Sequence, residues 1–251
     1  MAEEIRLAPS ERIDDLLTHG MGIIQSDEVF SFSLDAVLLA RFCSIPHRGR
    51  ILDLCTGNGV IPLLLATRCK LPITGVEIQP RLADMARRSV RLNRLEDQIE
   101  IIERDLRQYQ FEAEPGSYDL ITVNPPYLPV KIGQQNRNEH MAIARFEIMC
   151  TMEDVVAASS RLVKNGGKVA IVHRASRLAE LLSTLRAFHL EPKRLRMVHP
   201  RRGAEANMVL VEAIRDAAAE IRVLPPLFVY EGDQYCEELL DVYYGRRTDL
   251  S

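Results

Sequence analysis

RILDLCTGNGV, residues 50–60, is the stretch of this chain that decides its fold. The apolar residues at its start predict a buried strand. The D-x-x-x-G-x-G spacing of Asp53, Gly57 and Gly59 predicts a tight turn that leads directly into a helix. Such a turn lets the backbone approach a ligand closely and points the first N–H groups of the helix at it. Taken alone, the same pattern also fits a tight turn that binds no ligand.

Short apolar runs alternate with longer helical patterns from residue 50 onward, which is typical of βαβ units and a parallel sheet. Strands are predicted at residues 50–55, 73–77, 99–102, 118–123, 168–173, 194–199 and 207–213. Helices are predicted at residues 60–69, 80–93, 152–164 and 177–190. We expect Thr151 to cap the third of these helices and the sequence Asn165-Gly166-Gly167 to end it.

Composition and charge restrict the class of protein. The 251 residues are 47% hydrophobic and 27% charged, which excludes disordered, collagenous and low-complexity proteins. No run of about 18 apolar residues occurs, and the acidic N-terminus is unlike a signal peptide, so we expect a cytoplasmic protein with no membrane partner. The five cysteines are scattered without a C-x-x-C pair, so we expect neither disulfides nor a metal site. The net charge of −3 gives no support for nucleic-acid binding by the molecule as a whole.

Two acidic residues follow the next two predicted strands. Glu77 ends the second strand, where a carboxylate can accept hydrogen bonds from both hydroxyls of a ribose. Asp105 follows the third strand, where it can accept a hydrogen bond from an adenine amino group. Singly, each also fits an ordinary strand-end or turn acid. Because the carboxyl ends of parallel strands meet at one edge of a sheet, these acids, Asp53 and the glycines together predict a ligand site there.

The fourth predicted strand ends in the tetrapeptide Asn124-Pro125-Pro126-Tyr127, which combines an amide, a rigid turn and an aromatic ring at the same edge. With this motif the chain resembles the class I S-adenosylmethionine-dependent methyltransferases, in the branch whose N-P-P-Y motif methylates planar amino groups. The resemblance covers about residues 25–215. It implies an α/β, Rossmann-like fold with a doubly wound, mostly parallel seven-stranded sheet and an antiparallel late strand.

The resemblance also implies S-adenosyl-L-methionine as the cofactor. The residues that it assigns to cofactor binding are Ser33, Asp35, Asp53, Thr56, Gly57, Asn58, Gly59, Glu77, Ile78, Asp105, Leu106 and Asn124. The catalytic residues that it implies are Asn124, Pro125 and Tyr127. An exocyclic amine is a poor nucleophile because its lone pair is delocalised into the ring. If the Asn124 side chain and the Pro125 carbonyl accept hydrogen bonds from its two N–H groups, the nitrogen becomes more pyramidal, while Tyr127 stacks on the flipped base.

The sequences FSFSLDAVLLA and HPRRGAEANMVLVEA resemble, more narrowly, the bacterial tRNA (adenine-N6) methyltransferases. The resemblance implies a tRNA substrate methylated beside the anticodon, and the chain has no room for the target-recognition domain of a DNA methyltransferase. We expect residues 1–49 to pack on a methyltransferase core of residues 50–215, and the Tyr-rich tail, residues 216–251, to dock on that core. Two alternatives stay open, a release-factor glutamine methyltransferase and a non-catalytic cofactor-binding or RNA-binding module.

A cation-rich segment near the end of the predicted core favours RNA over the alternatives. Six residues that can carry positive charge fall within ten positions, namely Lys193, Arg194, Arg196, His199, Arg201 and Arg202. The residues that we expect to contact RNA are Lys131, Arg137, Arg196, His199, Arg201 and Arg202. Such cations can hold a phosphate backbone while shape and a splayed base provide recognition. The same run also fits a solvated strand face.

Overall fold

A computed structural model of the chain describes residues 5–29, 34–126, 150–246 and 250. The strands are β1 (Glu11–Asp15), β2 (Gly22–Ser26), β3 (Ile51–Leu54), β4 (Ile73–Glu77), β5 (Ile99–Glu103), β6 (Tyr118–Val123), β7 (Val163–Arg174), β8 (Leu190–His199), β9 (Met208–Arg215), β10 (Arg222–Val223), β11 (Leu227–Phe228), β12 (Tyr230–Glu231) and β13 (Gln234–Tyr235). The helices are α1 (Leu34–Phe42), α2 (Val60–Ala66), α3 (Pro80–Leu92), α4 (Leu106–Glu112), α5 (Met152–Leu162), α6 (Leu178–Ala187) and α7 (Glu237–Tyr243), with a 3₁₀ turn at Ala175–Arg177. None of the helices described here has the length and apolar character needed to cross a membrane.

A nine-stranded sheet forms the centre of the molecule. Its strand order is β10-β8-β9-β7-β6-β3-β4-β5, and β11 also pairs with β8. Strands β3 to β7 are parallel to one another, and β9 runs antiparallel to both β7 and β8. The predicted doubly wound, mostly parallel sheet with an antiparallel late strand is therefore confirmed. The sheet exceeds the predicted seven strands because the two-residue strands β10 and β11 extend its β8 side.

The order of the strands determines where a ligand binds. The chain runs from β3 outward through β4 to β5, and then returns to place β6 on the other side of β3. This reversal creates a switch point between β3 and β6, where a crevice opens at the carboxyl ends of the strands. Asn124, Pro125 and Pro126 follow β6 directly, so they lie at this crevice.

The sheet separates two apolar cores, one on each face. Successive residues of a strand point to opposite faces, so Ile51 belongs to the core shared with α1, α2 and α3, and Leu52 to the core shared with α4, α5 and α6. Leu120 and Ile121 of β6 divide in the same way. All four side chains are completely buried, so β3 and β6 are packed on both faces. The ends of these two strands therefore form a rigid base for the site.

Several parts of the structure differ from the sequence-based prediction. The helix expected to end at residue 164 stops at Leu162, and the Asn-Gly-Gly sequence expected to end it lies within β7. There the pairing with β6 shifts between Tyr118 and Leu120, and Gly166 takes a left-handed φ of 72°. The hairpin β1–β2 and helix α4 were not predicted. Helix α4 gives a weak signal because it is a short polar segment that buries only Leu106 and Tyr109.

The C-terminal tail packs against α1 and β8. Leu227, Leu239 and Val242 are completely buried in the same core as α1. Arg196 of β8 binds three tail residues. Its guanidinium donates to the Pro225 carbonyl at 2.9 Å, to the Leu250 carbonyl at 3.2 Å and to the Glu238 carboxylate at 2.9 Å. Arg196 is 5% exposed, so the prediction that it contacts RNA is wrong. It attaches the tail to β8 instead.

Arg194 is buried in the same way. Its guanidinium donates to the Phe42 carbonyl, lies 4.4 Å from the centre of the Phe42 ring and is 3.6 Å from the Glu212 carboxylate. Residues 194 and 196 share one face of β8 because side chains two apart on a strand point the same way. Two of the six positive residues in the cation-rich segment therefore stabilise the fold and do not present charge to a partner.

We expect Arg196→Ala to lower the free energy of unfolding by about 2–4 kcal/mol, because the Glu238 carboxylate and two backbone carbonyls lose their donor in a largely buried setting. Urea unfolding monitored by far-UV circular dichroism measures this change. Arg201→Ala, whose side chain is 58% exposed, is the matched control and is expected to change the same quantity by less than about 0.5 kcal/mol. Equal stability of the two variants would contradict a structural role for Arg196.

Candidate active site

The glycine-rich turn after β3 has the backbone geometry that its sequence predicts. Cys55, Gly57 and Gly59 all have positive φ, at 58°, 58° and 89°. A Cβ on Gly59 would lie 3.2 Å from the Cβ of Ala86, so this glycine allows the turn to pack closely on α3. A Cβ on Gly57 would meet nothing within 4 Å, so the space above this residue is open. The turn is thus packed against the protein on one side and exposes its backbone on the other.

Glu77 holds this turn in place from the end of β4. Its Oε2 accepts the backbone N–H of Gly57 at 2.8 Å, and its Oε1 accepts the N–H of Gln79 at 2.9 Å. Burial raises the pKa of the Glu77 carboxyl, and the backbone donors of Gln79 and Gly57 oppose that rise. Each oxygen keeps a second lone pair, so the carboxylate that orders the turn can still accept hydrogen bonds from a ligand.

Asp105 begins helix α4 as its N-cap. The carboxylate accepts the backbone N–H of Arg107 at 2.9 Å and lies 2.5 Å from the Arg107 guanidinium. Partial burial raises the pKa of Asp105, but the hydrogen bonds from the side chain and backbone of Arg107 outweigh it, so the pKa falls below its ordinary value. The side chain is therefore an ionised acceptor near neutral pH.

These elements line one open cavity at the carboxyl ends of the strands. The predicted residues that line it are Thr56, Gly57, Asn58, Glu77, Ile78, Asp105, Leu106 and Asn124. The lining residues that were not predicted are Ala36, Cys55, Val60, Ile61, Val76, Gln79, Leu82, Arg104, Pro126 and Cys150. Most of these are apolar residues that the sequence marks only as core, so no local signal distinguished them.

Asp53 lies beneath the turn and does not line the cavity, contrary to the expectation that it binds the cofactor. It is completely buried, and the Thr122 hydroxyl donates to its Oδ1 at 2.6 Å. Burial raises the pKa of Asp53 to about 7, although the hydroxyls of Thr122 and Thr56 oppose the rise. Asp53 therefore connects β3 to β6 directly before the turn.

Of four further predicted residues, some do not line the cavity and others form hydrogen bonds within the protein. Gly59 and Pro125 border the cavity in sequence but do not line it. Asp35 is buried at the start of α1, where its carboxylate accepts the N–H of Ala36 at 2.8 Å. Asn58 lines the cavity, yet its amide donates to the Ile24 carbonyl at 3.1 Å and so links the glycine-rich turn to strand β2.

The residues after β6 reach the same cavity from the other side of the switch point. Val123 pairs with Leu54 of β3 and with Ile171 of β7, which places Asn124 level with the start of the glycine-rich turn. Asn124 and Pro126 line the cavity beside the turn. Four predicted site residues lie outside the described residues, namely Ser33, Tyr127, Lys131 and Arg137.

Two thiols lie in the cavity wall. Cys55 forms a hydrogen bond with Cys150, and this bond together with burial raises the pKa of the Cys55 thiol well above its ordinary value. A neutral thiol is a weak nucleophile, so Cys55 is unsuited to covalent catalysis. Across the part of the chain that the structure describes, His, Cys, Asp and Glu side chains do not form a group of three or more that could hold a metal ion.

A family model described as the methyltransferase small domain matches residues 21–189. The chain belongs to this family. The matched region contains the glycine-rich turn, the cavity-lining acids Glu77 and Asp105 and the N-P-P-Y motif. Membership confirms the predicted methyltransferase class and S-adenosyl-L-methionine as methyl donor.

Two relatives of this methyltransferase carry the name tRNA1(Val) (adenine(37)-N6)-methyltransferase. The protein from Aeromonas salmonicida (strain A449) is 34% identical over 179 residues, which is 70% of this chain and 73% of the relative. The protein from Aeromonas hydrophila subsp. hydrophila is 33% identical over 181 residues, with the same coverage of each chain.

Solved structures share the fold of this methyltransferase. A crystal structure from Agrobacterium tumefaciens, described as that of a predicted O-methyltransferase, has a TM-score of 0.68 at 26% identity and covers 84% of this chain and 96% of that one. The geranyl diphosphate C-methyltransferase from Streptomyces coelicolor, solved with S-adenosyl-L-homocysteine, has a TM-score of 0.54 at 14% identity and covers 72% and 76%. The second resemblance extends to the fold alone.

The raised pKa of Asp53 predicts a specific pH dependence of stability. The unfolded carboxyl has a pKa of about 3.9, so between about pH 4 and pH 7 the native state binds more protons than the unfolded state, and this group lowers stability as pH rises through that window. Asp53→Asn keeps an acceptor for Thr122 but removes the titration. We therefore expect the stability of the variant relative to wild type to increase from about pH 4 to pH 7 and then to level off.

Urea unfolding at several pH values measures that difference. Asp233→Asn is the matched control, because its side chain is 98% exposed, and its difference from wild type is expected to stay flat over the same window. A flat difference for Asp53→Asn as well would show that the Asp53 carboxyl is not shifted by burial.

Proposed function

We propose that this protein transfers the methyl group of S-adenosyl-L-methionine to the N6 amine of an adenine in tRNA, in the cytoplasm. The observation that carries the proposal is that Asn124 lines the same cavity as Glu77 and Asp105. An amide suited to holding an amino group thus lies beside two acids suited to holding a nucleoside. The names of the two Aeromonas relatives support adenine in tRNA as the acceptor.

We also propose that residues 50–215 are the catalytic core, with residues 1–49 and the tail of residues 216–251 packed on it. The hydrogen bond from Asn58 to Ile24 supports a role for the N-terminal segment in ordering the cofactor turn. The buried contacts of Arg196 with Glu238 support a fixed position for the tail.

The residues present fit the methyl donor. Glu77 is placed to accept hydrogen bonds from the ribose hydroxyls, and Asp105 to accept one from the adenine amino group, because both carboxylates border the cavity. The open space above Gly57 lets the backbone of the turn approach the ligand. Apolar side chains such as Ile78 and Leu106 supply flat contacts for the purine ring. When bound, S-adenosyl-L-methionine supplies an electrophilic methyl group on a sulfonium.

The role of the chain in the reaction is to bind and orient the amine. The side-chain oxygen of Asn124, which lines the cavity, accepts one N–H group of the adenine amine. We assign the second N–H group to the carbonyl of the next residue, Pro125, although Pro125 does not itself line the cavity, and the two bonds together direct the nitrogen lone pair toward the methyl group. The N–C bond forms as the S–C bond of the sulfonium breaks, and the N-methylated cation then loses its proton to water. Positioning of two bound reactants provides most of the acceleration, so no strong base is required.

Asp105→Ala tests the cofactor assignment. We expect the variant to bind S-adenosyl-L-homocysteine about 1–3 kcal/mol more weakly by isothermal titration calorimetry, because a partly buried, charged acceptor is lost. Asp84→Ala removes an exposed carboxylate that also pairs with an arginine and is the control. Unchanged affinity in the Asp105 variant would remove this residue from the cofactor site.

Asn124→Ala tests catalysis separately from cofactor binding. We expect turnover to fall at least 100-fold, because orientation of the amine is lost, while the calorimetric affinity for S-adenosyl-L-homocysteine stays within about twofold of wild type. The assay follows labelled methyl transfer to unmodified tRNA and identifies the modified nucleoside by mass spectrometry. A product other than N6-methyladenosine would contradict the proposed acceptor, and labelling of a release factor without labelling of tRNA would replace tRNA with a protein substrate.

A further inference from the structure

Several chain segments end at the same edge of the sheet as the catalytic motif. Strands β6, β7 and β8 run in one direction, so their carboxyl ends lie at one edge of the sheet. Asn124 follows β6, Arg174 ends β7 and His199 ends β8. Strand β9 runs the other way and starts at Met208, which pairs with both Arg174 and Val198. Three strand spacings separate β6 from β8, which is roughly 14 Å.

Three arginines lie along this edge beyond the cavity. Arg174 ends β7 and is exposed, although the sequence analysis did not single it out. Arg201 and Arg202 follow β8 and are also exposed. Within the described residues, Arg174 and Arg202 form no ion pair, and Arg201 pairs with Asp233 at 3.5 Å, where the Asp233 side chain is 98% exposed. The three guanidiniums therefore keep donors that are available to a phosphate.

Aromatic rings from the tail support two of these arginines. The Arg202 guanidinium lies 4.7 Å from the centre of the Phe228 ring, and that of Arg201 lies 5.8 Å from the centre of the Tyr230 ring. The centre of the His199 ring lies 5.6 Å from the centre of the Phe228 ring. Arginine guanidiniums that pack against aromatic rings can also stack on an unstacked base. The tail therefore positions these cations in addition to completing the fold.

The charged residues along this edge indicate what class of partner can bind there. The groove beneath Arg201 and Arg202 is also lined by Glu231, Glu237 and Glu238, so its interior repels phosphate. The surface therefore combines exposed guanidiniums with the aromatic rings that two of them pack against. A partner with regularly spaced phosphates and exposed planar bases fits both features, whereas an acidic peptide offers only the charge.

We propose that Arg174, Arg201 and Arg202, with Phe228 and Tyr230 beneath them, form a distal RNA contact that holds the substrate at nucleotides away from the methylated base. This inference rests on the proposed function, because it assumes that the substrate at Asn124 is RNA. Phosphates of neighbouring nucleotides pair with the three guanidiniums, and an unpaired base stacks on the Arg201 or Arg202 plane. Arg201 and Arg202 follow β8, three strand spacings or roughly 14 Å from β6, which exceeds the size of one base, so their contact is distinct from the catalytic one. Arg174 ends β7, which lies between these two strands.

The test compares two triple variants that remove the same charge from opposite edges of the sheet. The distal variant is Arg174→Ala, Arg201→Ala and Arg202→Ala. The control variant is Arg48→Ala, Lys70→Ala and Arg186→Ala, whose exposed residues precede β3, β4 and β8 and so lie at the opposite edge. Measured quantities are the Kd for unmodified tRNA as a function of salt, kcat at saturating tRNA, and the affinity for S-adenosyl-L-homocysteine.

We expect the distal variant to raise the Kd for tRNA at least tenfold and to reduce the slope of log Kd against log salt by about 2–3, since each phosphate contact contributes about 0.7–0.9. Its kcat and its affinity for S-adenosyl-L-homocysteine stay within about twofold of wild type. The control variant changes the Kd less than threefold. Replacement of the same three arginines by lysine restores most of the salt dependence, because the charge is retained.

The two proposals fail in different ways. If wild-type protein methylates tRNA but the distal and control variants have equal Kd and equal salt slopes, the distal contact is overturned and the proposed function stands. A loss in kcat with unchanged Kd overturns it as well, because the arginines would then act at the catalytic step. If wild-type protein neither binds nor methylates tRNA, both proposals are overturned.

Discussion

The hydrogen bond from the Gly57 backbone to the Glu77 carboxylate is the interaction on which the active site depends. It joins the turn after β3 to the end of β4, and it is made by the same carboxylate that faces the cavity. The turn needs this support because Cys55, Gly57 and Gly59 all have left-handed φ angles, a conformation that costs energy at the non-glycine position. Just before the turn, the Thr122 hydroxyl donates to the Asp53 carboxyl group, so the end of β3 is also joined to β6.

Segments at both ends of the chain also stabilise this arrangement. Asn58 connects the turn to β2, and the hydroxyl of Thr18, just after β1, donates to the Tyr243 carbonyl at 2.6 Å. The Arg41 guanidinium of α1 donates to the Thr18 hydroxyl at 3.2 Å, so α1 connects the N-terminal hairpin with the C-terminal helix. The turn is thus joined to the N-terminal hairpin through Asn58, and that hairpin is joined to α1 and to the C-terminal helix through Thr18.

Much of the fold and part of the site could be predicted because their signals are local. The strands at residues 73–77 and 118–123 have the predicted bounds, since apolar runs interrupted by a helix-starting proline or by two successive prolines leave little ambiguity. The positions of Glu77 and Asp105 follow from the ends of parallel strands. The hairpin β1–β2 was not predictable in this way, because its stability comes from contacts with α3, such as the bond from the Ile24 N–H to Ser89.

The cations show where a one-dimensional pattern fails. Arg194 and Arg196 look like members of a surface run, but Glu212 and Glu238 come from segments later in the chain, and only folding places these acids beside them. Sequence alone also gives no reason to connect residue 174 with the loop after β8. That connection requires the reversal of β9, which brings the two segments to one edge.

The net charge of −3 is a poor guide to binding for the same reason. Many basic residues are neutralised within the protein, as in the pairs of Arg88 with Glu11, at 2.6 Å, and Arg81 with Glu28, at 2.8 Å. Charges separated by more than about 8–10 Å in solution are largely screened, so a phosphate responds to the few cations near it and not to the total. What matters is which arginines keep free donors at the catalytic edge, and the topology of the sheet, more than the composition, decides that.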